Sequence, residues 1–180
     1  MGALLEYDPQ KPFDDQHMSR SENPKRVHYD PKARDLYGRP HAVLAHPDGR
    51  HVLVGGNAAR VLLGSGMLIY YNQTGEGTIL DRSDLIEDQG INAMIALPGG
   101  DVLVGTTIRP PTAGSPGPAK TAMIYRFDME KREIIDRWDI DPDTPAVRDM
   151  VLASDGLVYG LAEPNRLFVF DPAKNAITRD

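Results

Sequence analysis

Hydrophobic positions along the chain fall into short runs separated by turn residues, and the same order of runs returns three times. "HAVLAHPDGRHVLVGG" from His41, "NAMIALPGGDVLVGTT" from Asn92 and "RDMVLASDGLVYGLAE" from Arg148 align with one another. Each is a short apolar run, a turn holding Gly49, Gly100 or Gly156, and a second apolar run ending at Gly55, Gly105 or Gly160. The turn glycines lie 51 and 56 positions apart, a spacing that suits a repeat of four strands. A third run in each unit closes on an acidic or amide residue, "MLIYYN" at Asn72, "MIYRFD" at Asp128 and "LFVFD" at Asp171. A fourth follows in "TILDR", "EIIDRW" and "AITRD". These runs are rich in Val, Ile, Leu, Tyr and Phe and bounded by Gly, Pro, Asp and Asn, the chemistry of strands and tight turns. The pattern predicts no amphipathic helix.

The N-terminal "ALLEYDPQKPF" matches the third run and its turn, so the chain enters partway through a unit. Residues 14–34 are polar and irregular and read as a long loop with one strand near residues 26–29. The prediction is an all-β chain, a partial β-propeller of about three and a half four-stranded antiparallel blades in one domain. Residues 1–38 give a half blade of outer strands plus an irregular loop, 39–88 a blade, 89–144 a blade with a long Pro/Gly-rich loop, and 145–180 a blade. Most propellers have four to eight whole blades, so the expectation is a piece of a larger propeller or a subunit that a partner completes. Terminal blades of such a piece expose an apolar face and unpaired strand edges, which favour self-association.

Composition narrows the function classes. The 180 residues are 41% hydrophobic and 26% charged, as in an ordinary folded protein. A net charge of -6 offers no basic face for nucleic acid. The absence of cysteine excludes disulfides, thiolate metal sites and thiol nucleophiles. "MGALLEYDPQKPFDD" lacks the basic and apolar regions of a signal peptide, and no apolar run approaches the ~18 residues of a membrane span. The chain therefore reads as soluble, with an exported parent protein compatible. Gly2 as a myristoylation site fails because Glu6 stands where Ser or Thr is required. "PDG" and "SDG" lack the alternating ligands and closing Glu of a calcium loop, and no phosphate-binding or nucleophile-elbow motif is present.

The ordered set "GALLEYDPQKPF", "NPKRV", "GRPHAVLAHPDGRHVLVGG", "LLGSGMLIYYN" and "AKTAMIYRFD" resembles a bacterial seven-bladed β-propeller repeat family, WD-like or kelch-like. The resemblance implies six to eight blades in the complete protein, often as a module of larger exported proteins. It carries no catalytic residues to transfer. Asn72 departs from the pattern, since the other units have Asp there, and the remaining blades are missing.

In a propeller the innermost strand of each blade starts on the rim where function is usually found. Here His41, Asn92 and Arg148 begin those strands, with Asp149 beside the last. The loops 56–66 and 106–122 reach the same rim; the second is long and dense in Pro and Gly, and its Arg109 is the candidate contact for an anionic ligand. The reading is a non-catalytic scaffold or binding module for a small-molecule, saccharide or protein ligand, without a cofactor. The alternative is a metal-dependent lactonase- or lyase-like enzyme in which His41, Asn92, Asp149 and Glu163 hold a divalent cation such as Ca or Mg. His41 and His46 lie ~16 Å apart on an extended strand and cannot share an ion. His46 and His51 flank "PDGR" on the opposite rim; two imidazoles without a third ligand make a weak site, so both read as structural. Trp138 reads as a packing residue rather than a sugar platform.

Overall fold

The computed structural model describes residues 3–17, 19–59, 62–110 and 114–179. Gly2 and parts of the loops 56–66 and 106–122, residues 60–61 and 111–113, lie outside the described residues. The described strands form four antiparallel sheets in which sequence neighbours pair. β1 (Ala3–Glu6) pairs with β2 (Lys25–Tyr29). The second sheet is β3 (Arg39–Ala45), β4 (His51–Asn57), β5 (Met67–Tyr71) and β6 (Gly77–Leu80). The third is β7 (Gly90–Ala96), β8 (Val102–Thr107), β9 (Met123–Asp128) and β10 (Glu133–Asp139). The fourth is β11 (Val147–Leu152), β12 (Val158–Ala162), β13 (Arg166–Asp171) and β14 (Ala176–Arg179). The chain is thus all-β, and each sequence repeat is one four-stranded meander. Among the described residues no helix is long and apolar enough to cross a membrane.

One element departs from the expectation. Residues 33–37 form a short helix, α1 (Ala33–Tyr37), where the sequence reads as loop. Asp30 starts it: its carboxylate accepts from Lys32 N–H at 2.7 Å and its carbonyl from Ala33 N–H at 3.1 Å. Ala33 and Tyr37 then pack on Val54, Leu68 and Tyr70. Burial, helped by the charge of Asp30, pushes the Tyr37 phenol up to about 12. A turn and a half is too short to show a 3.6-residue period, which is why the sequence does not reveal it.

Successive side chains of a strand point to opposite faces, and in the middle sheets both faces are apolar because both are covered. Leu53 of β4 joins a core with Ile91, Val104 and Phe127 of the next sheet, while Val54 joins the core beneath α1. Val102 and Val104 of β8 point back to the second sheet, and Leu103 points forward to Val147, Val158 and Phe168. The last sheet departs from this pattern. Val158, Ala162, Phe168 and Phe170 are buried, yet Val151, Tyr159, Leu161 and Leu167 are exposed, Leu167 by 70%. Direct cross-strand pairing of Val151 with Tyr159 and of Leu161 with Leu167 puts these four on one face.

The sheets stack through their first strands. β7 lies against β3 and β4, and β11 against β7 and β8. Two glycines permit the approach: a Cβ at Gly55 would stand 2.5 Å from Ile91 Cγ2, and one at Gly105 would stand 2.6 Å from Val147 Cγ1. Between strands, the turns after β1, β9 and β13 share one device. Asp8, Asp128 and Asp171 each accept backbone N–H groups through Oδ1 and face the Lys three residues on through Oδ2. The acidic residue that closes the third run is therefore a turn cap.

These caps set an acid limit. Hydrogen bonds from backbone N–H groups and from Lys174 lead the causes that hold Asp8, Asp128 and Asp171 below the usual carboxyl range. Their stabilisation is present above the unfolded value of about 3.9 and is lost as pH falls through the lower folded values. The melting temperature is expected to drop below about pH 4, and Asp128→Asn is expected to make the drop shallower in a pH series of thermal melts. An acid profile unchanged by the substitution would remove this role.

Candidate functional site

His41, Asn92 and Arg148, each second or third in the first strand of its sheet, share a backbone feature that period-2 patterning does not display. In β3 the pairing with β4 slips between Pro40 and Ala42, in β7 between Ile91 and Ala93, and in β11 between Val147 and Asp149. The residue skipped each time is His41, Asn92 or Arg148. Each is thus the extra residue of a β-bulge, a device that twists the strand and re-aims a side chain. All three, with Asp149, line one cleft of about 330 Å³ floored by Ala42, Val43, Ala93 and Met94. The structure therefore brings together side chains from three sheets.

Their individual partners define what the cleft offers. His41 Nε2 lies 3.4 Å from the Asn57 amide nitrogen. Asn92 donates from Nδ2 to the Val147 carbonyl at 2.6 Å, tying β7 to β11. Asp149 Oδ1 accepts from the Met150 N–H at 2.8 Å. Arg148 reaches the carboxylate of Glu163, forming an ion pair with Oε1 outside hydrogen-bond geometry.

Glu163 also takes Arg109, which donates from Nε to Oε2 at 2.9 Å and from Nη2 to the same oxygen. This hydrogen bond, ahead of the charge attraction, raises the Arg109 pKa further. The carboxylate is buried, while both guanidinium groups are more than half exposed. Arg109, the expected contact for an anionic ligand, is thus paired with Glu163. Of the residues expected to hold a cation, His41, Asn92 and Asp149 line the one cleft, whereas the Glu163 carboxylate faces two arginines. Among the described residues, His46, Asp48 and His51 are the group of His and acidic side chains with ligand atoms within 4.8 Å of one another. Two arginines around one carboxylate leave one positive charge, which Asp149 in the cleft balances.

The loop after β8 is stitched down at both ends. Ile108 N–H donates to the Pro145 carbonyl at 2.9 Å, and Arg109 N–H to Thr107 Oγ1 at 3.1 Å. Farther on, Ala119 N–H meets Asp88 Oδ2 at 3.0 Å, and Thr121 Oγ1 donates to the Asp141 carbonyl at 2.5 Å. Buried Gln89 links the two ends of this region, donating to the Thr121 carbonyl and accepting from Thr106 Oγ1 at 2.5 Å. Sequence reasoning overlooked Gln89, and a lone amide before a strand gives no signal of its burial. Trp138 of β10 packs its ring 4.9 Å from Phe170 of the last sheet, a core contact.

No family model matches the chain, and no curated protein does. Among solved structures, the chain is similar to a crystal structure described as the extracellular domain of the hybrid two component system BT4673 from B. thetaiotaomicron. The TM-score is 0.51 at 13% identity, over 93% of this chain and 18% of that one. The chain thus spans less than a fifth of that structure, and the likeness is one of fold.

Removing the shared carboxylate tests the ion cluster at Glu163. Glu163→Gln is expected to lower the unfolding free energy by about 1–2 kcal/mol, since charge-assisted hydrogen bonds are worth ~1.5–3 and the arginines are half solvated. Urea denaturation measures it, and an unchanged midpoint would show that the cluster does not hold the loop.

Proposed function

We propose that the chain forms about three and a half blades of a β-propeller of the bacterial seven-bladed, WD-like or kelch-like kind, serving as a non-catalytic scaffold and binding module. One observation carries this reading: bulges at the same register in three consecutive sheets line a single cleft. A radial arrangement in which each sheet repeats the placement of the one before gives that result without separate selection at each position. Similarity to the solved extracellular domain supports the arrangement at the level of fold.

The ligand class follows from the groups in the cleft. Arg148 offers a charged donor that suits a carboxylate, His41 a second donor, and Asp149 an acceptor for a hydroxyl. A carboxylated saccharide, or an acidic side chain of a protein partner, meets all three. Titrating the isotope-labelled chain with galacturonate is expected to shift the amide resonances of residues 39–43, 91–94 and 147–150 more than galactose does. Arg148→Ala is expected to abolish the shifts. Equal responses to the two sugars, or shifts confined elsewhere, would count against the cleft.

The exposed face of the last sheet fits the partner reading. Val151, Tyr159, Leu161 and Leu167 stand where a further sheet would pack, supplied by more of a longer chain or by a second copy. The isolated chain is expected to self-associate through this face, and Leu161→Lys with Leu167→Lys to restore a monomer in light scattering. A wild-type mass that stays monomeric at every concentration contradicts this.

A further inference from the structure

We propose that His46, Asp48 and His51 form a binding site for one divalent transition-metal ion of the zinc type, at the end of the second sheet opposite the bulge cleft. With β3 rising about 3.3 Å per residue, this group lies about 16 Å from His41. It is independent of the function proposed for the cleft.

The tight turn between β3 and β4 builds the site. Asp48 divides its two oxygens between two tasks. Oδ1 accepts the N–H groups of Arg50 and His51 at 2.8 and 3.1 Å, which fixes the carboxylate. Oδ2 is thereby aimed at both imidazoles, 3.2 Å from His46 Nδ1 and 2.5 Å from His51 Nδ1. The third ligand, invisible in a reading that weighed the two histidines alone, is the turn aspartate itself.

Hydrogen bonding of His46 is the observation that points to a cation. The ring is buried, and Nε2 lies 2.8 Å from the Gly100 carbonyl of the β7–β8 turn in the neighbouring sheet. A carbonyl only accepts, so Nε2 carries the proton, and in the neutral ring Nδ1 presents a lone pair. The Asp48 N–H, 3.4 Å from Nδ1, meets that same lone pair. Nδ1 and Asp48 Oδ2 face one another at 3.2 Å, a gap bridged either by a proton on Nδ1 or by a metal ion held between the two atoms. An imidazole whose far N–H is held by a backbone carbonyl is also how metal-ligating histidines are oriented. His51 is fixed as well: its ring packs 4.4 Å from Tyr71, whose hydroxyl accepts from Arg132 at 2.5 Å.

Spacing agrees with a small ion. Tetrahedral Zn with bonds of about 2.0–2.1 Å separates its ligand atoms by about 3.3 Å, and the His46–Asp48 distance is already there. The His51–Asp48 contact opens by under about 1 Å when the ion replaces the bridging proton. Two nitrogens and one oxygen suit zinc and its neighbours, whereas Ca and Mg take six or more oxygens. The fourth position opens onto a cleft of about 740 Å³ that also holds Arg50, Tyr71, Asp101 and Arg132, leaving room for water.

The test uses the full chain, freed of metal and titrated with Zn2+ by calorimetry and with Co2+ by absorption. The expected result is saturable uptake of one ion per chain, visible bands of four-coordinate Co2+, and a rise in melting temperature with Zn2+. Asp48→Asn keeps the turn acceptor Oδ1 while removing the charge, and His51→Gln removes a partly exposed ring. Each is expected to weaken Zn2+ binding about tenfold or more and to remove the thermal shift in a chain that circular dichroism shows to be folded. His41→Ala is expected to bind as wild type does. Absence of stoichiometric uptake by the wild type, or equal uptake by Asp48→Asn and His51→Gln, would overturn the site.

Discussion

Everything in this molecule depends on how closely one sheet can approach the next, and that distance is set where a side chain is missing. Gly55 and Gly105 occupy the same place in two repeats, and each faces a β-branched residue of the following first strand, Ile91 or Val147. The branched side chain fills the space that a Cβ would take, so the first strands lie in contact with the sheet before them. Interiors are packed at crystal-like density, and even one extra carbon at such a point displaces a strand. Leu161, paired with Asp149 just past the bulge as Gly55 is with Ala42 and Gly105 with Ala93, stands at the third equivalent place, on the exposed face of the last sheet.

Close stacking turns a local irregularity into a shared site. A bulge in one isolated strand would only tilt one side chain. Because three first strands run side by side with their bulges at one level, His41, Asn92 and Arg148 reach the same opening. Asn92 also gives its amide to the Val147 carbonyl, so one of the lining residues helps hold the sheets that create the cleft. At the opposite end, the turns of adjacent sheets meet through His46 and Gly100. The same stacking therefore organises both ends.

Much of this was legible in the chain. The recurrence of apolar runs and turn glycines gives the strands, their order and the four-strand unit, because period-2 burial and turn chemistry are local properties. The polar residues near the start of each first strand were visible as well, though the strands begin one or two residues earlier and the bulge was not visible, since register is fixed only when the partner strand is present. Contacts across long sequence separations escaped the reading: Arg109 and Arg148 meeting at Glu163, and Gln89 bridging Thr106 to Thr121. Asp48 was in plain view between two histidines, yet its role depends on a turn that directs Oδ2 and not Oδ1 toward them. The short helix α1 is a tertiary product, held by Ala33 and Tyr37 against a neighbouring sheet and not by its own periodicity.

The most direct measurement is a double-mutant cycle between Gly55 and Ile91 by equilibrium unfolding. Gly55→Ala alone is expected to destabilise by about 1–3 kcal/mol through overpacking. In an Ile91→Ala background the added methyl meets the vacated space and is expected to cost at least about 1 kcal/mol less, a coupling well beyond simple additivity. Additive effects, within about 0.3–0.5 kcal/mol, would mean that the first strand of one sheet does not pack on the second strand of the one before, and the stacked arrangement would be contradicted.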